Sequence, residues 1–150
     1  MRASLAQNEP KRLALWNQNA LYELLMKKNE GHEKFVLHDG PPYANGPIHL
    51  GHAQNKISKD IINRYKAMRG FQTPYIPGWD CHGQPIEHKV EEMLGTEKFN
   101  ALPTEKIREL CRKMAVEQVD TQRQGFKRLG VLAKWDDPYL TYTPDYDATD

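Results

Sequence analysis

FVLHDGPPYANGPIHLGH, residues 35–52, decides how the chain is to be read. Phe35, Val36 and Leu37 are consecutive apolar residues between Gly31 and Gly40, which predicts a short buried strand over Lys34–Asp39. The next eight residues exclude helix and central strand. Pro41, Pro42 and Pro47 lack a backbone donor, and Gly40 and Gly46 admit dihedrals that other residues avoid. From His49 to Arg69 the spacing becomes helical. His52 or Ala53, Ile57, Ile61, Tyr65 and Met68 share one stripe, and Gly70 stands where a C-terminal cap belongs. Phe71 to Pro77 reads as a second extended run, so strand, loop, helix and strand form one βαβ unit with parallel strands and a right-handed crossover. Ligands of such sheets sit beyond the carboxyl ends of the strands. Residues 40–47 and 78–83 both fall at such ends.

Outward from this core, residues 9–28 carry Leu13, Trp16, Ala20, Leu21, Leu24 and Leu25 at helical spacing, which predicts one packing helix with Pro10 in its first turn. Pro85 to Met93 reads as a short helix. Thr104 is placed to cap a long helix reaching Leu129, with Ile107, Leu110, Cys111, Met114 and Phe126 inward and Gly130 closing it. Trp135 to Asp150 holds two prolines, five aspartates and no helical period, and reads as irregular or extended solvated surface.

The composition suits one ordinary domain. There are 150 residues, 27% of them charged and 39% hydrophobic, with a net charge of +1. The longest apolar run, Leu13–Trp16, is far short of the ~20 residues of a membrane span, and no apolar h-region follows Met1, so neither span nor signal peptide is expected. Cys81 and Cys111 are too few for a disulfide scaffold and read as reduced thiols of a cytoplasmic protein.

Five of the six histidines lie between positions 38 and 88. His49 and His52 are three apart at a helix start, where two imidazole donors beside unsatisfied backbone amides suit phosphate oxygens. Gly51 between them leaves the backbone open to a flat ligand. The plainer alternative is a pair of histidines at an ordinary helix terminus. A metal site drawing in Cys81, His82 and His88 has no Cys-x-x-Cys or His-Glu-x-x-His spacing behind it, and no bound metal is predicted. Neither a Walker loop nor Gly-x-Gly-x-x-Gly occurs. Cys81-His82 as nucleophile and base is disfavoured, because neighbouring side chains diverge and no third group orients them. Asp80 suits a ligand's ammonium group equally with a loop-capping role. The basic residues Lys56, Lys59, Arg64, Lys66 and Arg69 suit either RNA phosphates or the solvated side of a helix.

The opening stretch, followed by PGWDCHGQPIE at 77–87, closely resembles class I aminoacyl-tRNA synthetases and within them looks most like the isoleucyl-tRNA synthetases. His49-Leu50-Gly51-His52 matches the HIGH signature of that class, and Gly78–Gly83 is the discriminating loop. The likeness continues through FKRLGV at 126–131 and the segment 135–142. It implies an α/β fold: the first half of a Rossmann-type nucleotide-binding domain with parallel strands, over residues 34–150, preceded by a helical extension at 1–33. It further implies activation of isoleucine with ATP and Mg2+ and transfer to tRNA(Ile). His49 and His52 would hold the triphosphate, Gly51 would let adenine and ribose approach, and Pro42, Tyr43, Ala44, Asn45 and Gly46 would shape the nucleotide entrance. Gly40 and Pro41 would line the amino-acid pocket, Asp80 would bind the α-ammonium and Trp79 would wall the site.

Two departures accompany the resemblance. Gln84 stands where the family usually has Leu, and the lysine-rich second signature, the editing insertion and the anticodon-binding domain have no counterpart in these residues. The chain is therefore expected to need the remainder of a synthetase, and to be weakly active alone. The alternatives are a valine- or leucine-type relative, another nucleotidyltransferase with the His-x-Gly-His element, or a truncated paralogue that binds nucleotide or RNA without chemistry.

Overall fold

Helical spacing, capping glycines and proline positions account for most of the elements in a computed structural model that describes residues 3–147. These residues divide into two compact units, 3–38 with 50–75 and 126–134, and 39–49 with 76–125 and 135–147.

In the first unit the amino-terminal segment forms two helices, α1 (Leu5–Gln18) and α2 (Leu21–Lys28), rather than the single helix predicted over 9–28. The break is at Ala20, whose φ of 47° and ψ of 54° are left-handed. Asn17, Gln18 and Asn19 bring it about: two of the three are poor helix formers, and the Asn19 side chain donates to Leu15 O, closing the end of α1. Pro10 lies inside α1, not in its first turn, because the helix begins five residues earlier. Asn29, just past α2 and buried, donates from Nδ2 to Ala67 O and Phe71 O, tying α2 to the end of the next helix.

That helix, α3 (Leu50–Met68), matches its predicted bounds to within a residue, and Gly70 follows at φ 93°. Its orientation does not match. The apolar stripe faces outward, with Ile61 61% and Met68 77% exposed, and Lys56, Asp60, Asn63 and Ala67 are buried instead. Asp60 explains how polar groups hold that face: it accepts from Leu132 N–H at 2.9 Å and pairs with Arg64, which donates to Gly130 O and lies over the Trp16 ring. Lys56 donates to the Tyr75 hydroxyl at 3.2 Å and sits over the Tyr75 and Phe126 rings, and Lys66 covers Phe35 and Phe71. The basic run is thus largely packed onto aromatic surface.

The expected parallel sense is present, but the ladders are shorter than predicted. Lys34 bridges Gln72 through Phe35 N–H to Gln72 O and Gln72 N–H to Glu33 O, and no continuous strand fills 34–39 or 71–77. Pro74 and Pro77 remove donors from the second run. The first is also not buried, since Val36 is 66% exposed.

In the second unit the ladder forms inside the segment predicted as loop. Strand β1 (Gly78–Trp79) pairs in parallel with β2 (Tyr139–Leu140), Gly78 opposite Tyr139 and Trp79 opposite Leu140. A Cβ on Gly78 would fall within the Tyr139 ring, so only glycine fits there. Helix α4 (Gln84–Leu94) follows, then the unforeseen short α5 (Thr96–Asn100) and the long α6 (Thr104–Arg128), whose last turn belongs to the first unit. Helix α6 buries Cys111, Met114, Ala115, Val119, Gln122 and Phe126, an inward face much as predicted. The segment read as irregular or extended contributes β2 and one helical turn, α7 (Pro144–Asp147); its final residues, 148–150, lie outside the described residues.

Candidate active site

The loop from Gly40 and the end of β1 meet in the second unit through two backbone hydrogen bonds. Asp80 N–H donates to Pro42 O at 2.9 Å, and Ala44 N–H donates to Asp80 O at 2.8 Å, a parallel bridge between Tyr43 and Asp80. This pins the loop that begins at Gly40 against the end of β1. Ala44 is fully buried, Pro41, Pro42, Asn45 and Gly46 are half-buried, and Gly40 and Tyr43 are exposed. Trp79 is 1% exposed and lies 6.4 Å from the Trp135 ring.

The Asp80 carboxylate accepts from His82 N–H only at 3.5 Å, the outer limit of such a bond, and its side chain remains 28% exposed. A weak loop cap is therefore present, and the carboxylate still reaches solvent. Cys81 is buried, and burial, reinforced by the Asp80 charge, pushes its thiol up to about 11. A thiol kept protonated at neutral pH is no nucleophile. Its Sγ donates to Trp79 O, and its own N–H donates to Thr141 Oγ1 at 2.9 Å. Gln84, the departure from the family pattern, is exposed at the start of α4 and displaces nothing in the core.

His49 is exposed at the end of the loop, in the second unit. Gly51, exposed, and His52, half-buried with its ring edge-on to Phe126 at 6.3 Å, open α3 in the first unit. Neither imidazole is sealed into the interior. Among the described residues no group of three or more metal-ligating side chains is gathered.

Sequence reasoning missed Gln122. It is fully buried on α6, accepts from Trp79 Nε1 at 3.0 Å, and donates from Nε2 to Tyr43 O at 2.9 Å and Gly46 O at 2.7 Å. The available signal was a glutamine on the inward face defined by Cys111, Ala115, Val119 and Phe126, where an apolar residue belongs.

Residues 11–149 match the family model described as tRNA synthetases class I (I, L, M and V). The chain belongs to the class I tRNA synthetases. Among its relatives, the isoleucine–tRNA ligase of Caldicellulosiruptor saccharolyticus is 53% identical over 148 residues, and that of Limosilactobacillus fermentum is 56% identical over 148. These matches take in 99% of this chain and 16% of each relative, so this synthetase chain spans about a sixth of the length of the curated relatives it matches. The ligase of Azoarcus sp. is 59% identical over 141 residues, 15% of its length. The fold is also that of a LeuRS from Agrobacterium radiobacter K84 agnB2, solved as a ternary complex with tRNA and LeuAMS. That likeness has a TM-score of 0.74 at 19% identity over 97% of this chain and 16% of that one.

Proposed function

We propose that this class I synthetase segment supplies the nucleotide-gripping part of an isoleucine-activating site, the first half of a Rossmann-type domain in a cytoplasmic isoleucyl-tRNA synthetase. The reading is supported above all by 51–59% identity to isoleucine–tRNA ligases across nearly the whole chain. In the reaction, the isoleucine carboxylate attacks the α-phosphorus of ATP in line, the bond to the leaving pyrophosphate breaks, and isoleucyl-adenylate forms. A terminal ribose hydroxyl of tRNA(Ile) then attacks the acyl carbon, the mixed-anhydride bond breaks, and AMP leaves. Such chemistry calls for positioning and charge stabilisation more than for proton transfer.

The residues present fit those demands. His49 and His52 offer donors to the triphosphate at the start of α3, whose positive dipole end favours phosphate. Gly51 lets adenine and ribose lie close, and residues 42–46 shape the entrance. Gly40, Pro41 and Trp79 bound the amino acid, and the solvent-reaching Asp80 carboxylate takes its ammonium group. Mg2+ in this reading neutralises phosphate charge and enters with ATP.

The test uses a chimera in which this chain replaces the 148 residues it matches in the Caldicellulosiruptor saccharolyticus ligase. The chimera is expected to catalyse isoleucine-dependent ATP–pyrophosphate exchange. His52→Ala should slow exchange about 100-fold and leave isoleucine binding within about threefold, as expected for a donor engaged in the transition state. Asp80→Ala should weaken isoleucine at least about tenfold with ATP little changed, since a lost charge-assisted bond is worth about 1.5–3 kcal/mol. Exchange driven better by valine or leucine would overturn the assignment to isoleucine.

A further inference from the structure

We infer that Gln122 is a positioning residue for this activation reaction, the buried amide that holds the nucleotide loop and the wall of the amino-acid pocket as one rigid piece; the inference rests on the function proposed above. Its geometry permits one orientation only. Oε1 faces the Trp79 indole N–H, and Nε2 faces two carbonyls, Tyr43 O and Gly46 O. Exchanging the amide's nitrogen and oxygen would set donor against donor and oxygen against two oxygens. Both donors of Gln122 are therefore committed to the loop, and its acceptor to Trp79.

The loop is gripped from two sides. The Asp80 backbone holds Pro42 and Ala44, and Gln122 holds Tyr43 and Gly46. One turn further along α6, a Cβ on Gly125 would lie 2.7 Å from Ile48 Cδ1, so any larger residue there would have to displace the Ile48 side chain. Two adjoining turns of α6 thus lie against the stretch 43–48. A buried amide kept merely for packing has no need of two carbonyls from the loop and a donor from the adjacent strand. A satisfied network of this kind fixes a single geometry, which is what a preorganised site requires.

The test compares Gln122→Met, which nearly keeps the volume and removes the polar atoms, with Val119→Ala, a neighbouring core truncation on α6 that removes no polar atom. In the chimera, Gln122→Met should raise the KM for ATP about tenfold or more with a smaller change for isoleucine, and Val119→Ala should stay within about twofold. Equal KM values for the two variants, or no change in Gln122→Met, would overturn the inference. A second readout needs no turnover: in this chain the Ala44 amide should exchange with solvent at least about tenfold faster in Gln122→Met than in Val119→Ala. Equal amide rates would overturn the clamp. Absence of exchange activity in the unmutated chimera would overturn the proposed function and the catalytic consequence with it, and the amide rates would still decide whether Gln122 fixes the loop.

Discussion

Helices α3 and α6 carry the same kind of sequence pattern and meet opposite fates. Helix α6 turns its apolar face inward, with Met114, Val119 and Phe126 all under 7% exposed. Helix α3 turns its apolar stripe outward and buries Lys56, Asp60 and Asn63. Periodicity reports that a helix has two faces; which face is covered depends on what the rest of the chain brings against it. Here Trp16, Tyr75, Phe126 and the backbone of 130–132 reach the polar side of α3 and give its charges aromatic rings and hydrogen bonds. The outer stripe of α3, with Ile57, Ile61, Tyr65 and Met68 at least 37% exposed, is left uncovered by the described residues.

The sharpest way to break that contrast is at Asp60. Asp60→Ala orphans the Leu132 N–H and leaves the Arg64 guanidinium, itself partly buried, without its carboxylate. Removing one partner of a buried pair costs about 3–5 kcal/mol, so the urea midpoint should fall steeply, and Asp60→Asn, which keeps an acceptor for Leu132, should lose less. A loss below about 1 kcal/mol for Asp60→Ala would mean that the polar face of α3 contributes nothing to holding the helix in place.

A matched pair of truncations tests the contrast directly. Met114→Ala on α6 should cost about 2–4 kcal/mol, as a buried methionine leaves a cavity. Ile61→Ala on α3 should stay within about 0.5 kcal/mol, because the side chain is 61% exposed and alanine is the better helix former. Comparable losses would show the outer stripe of α3 to be covered in solution, and a dependence of the Ile61→Ala loss on protein concentration would identify self-association as the cover.

Much of this is legible in the sequence itself. The bounds of α3 and α6 follow from spacing and from Gly70 and Gly130, both at positive φ where a helix ends. The parallel sense of the pairing follows from strand–helix–strand order. The positions of the ladders were not legible, because the prolines that exclude a strand do not say which neighbouring donors will find a carbonyl: the bridges formed at Gln72 and Asp80, on either side of the proline-bearing run 74–77. The break at Ala20 was invisible for a similar reason, since alanine is the strongest helix former and its left-handed backbone is imposed by the segment around it. At the site, Asp80 and the loop from Gly40 declared themselves by composition. Gln122 did not, because its role depends on three partners between 43 and 79 positions away in the chain.

The smallest expected effect concerns the one buried polar residue of α3 that has no hydrogen-bond partner among the described residues. Asn63 is 6% exposed, and both its Nδ2 and Oδ1 lack a protein partner. A cavity of about 20 Å³, lined by Tyr22, Thr73 and Leu132 among others, lies beside it. Asp60 and Lys56 justify their burial by the bonds they make; Asn63 makes none, so it carries the desolvation cost of an amide without the return. Asn63→Leu, which has the same number of side-chain heavy atoms and is better suited to a helix, should raise stability by about 1 kcal/mol. For a chain of this size that corresponds to a rise of roughly 2–4 °C in Tm, readable by calorimetry. A fall in Tm would show that the amide is satisfied through that cavity, and the polar face of α3 would then be consistent from end to end.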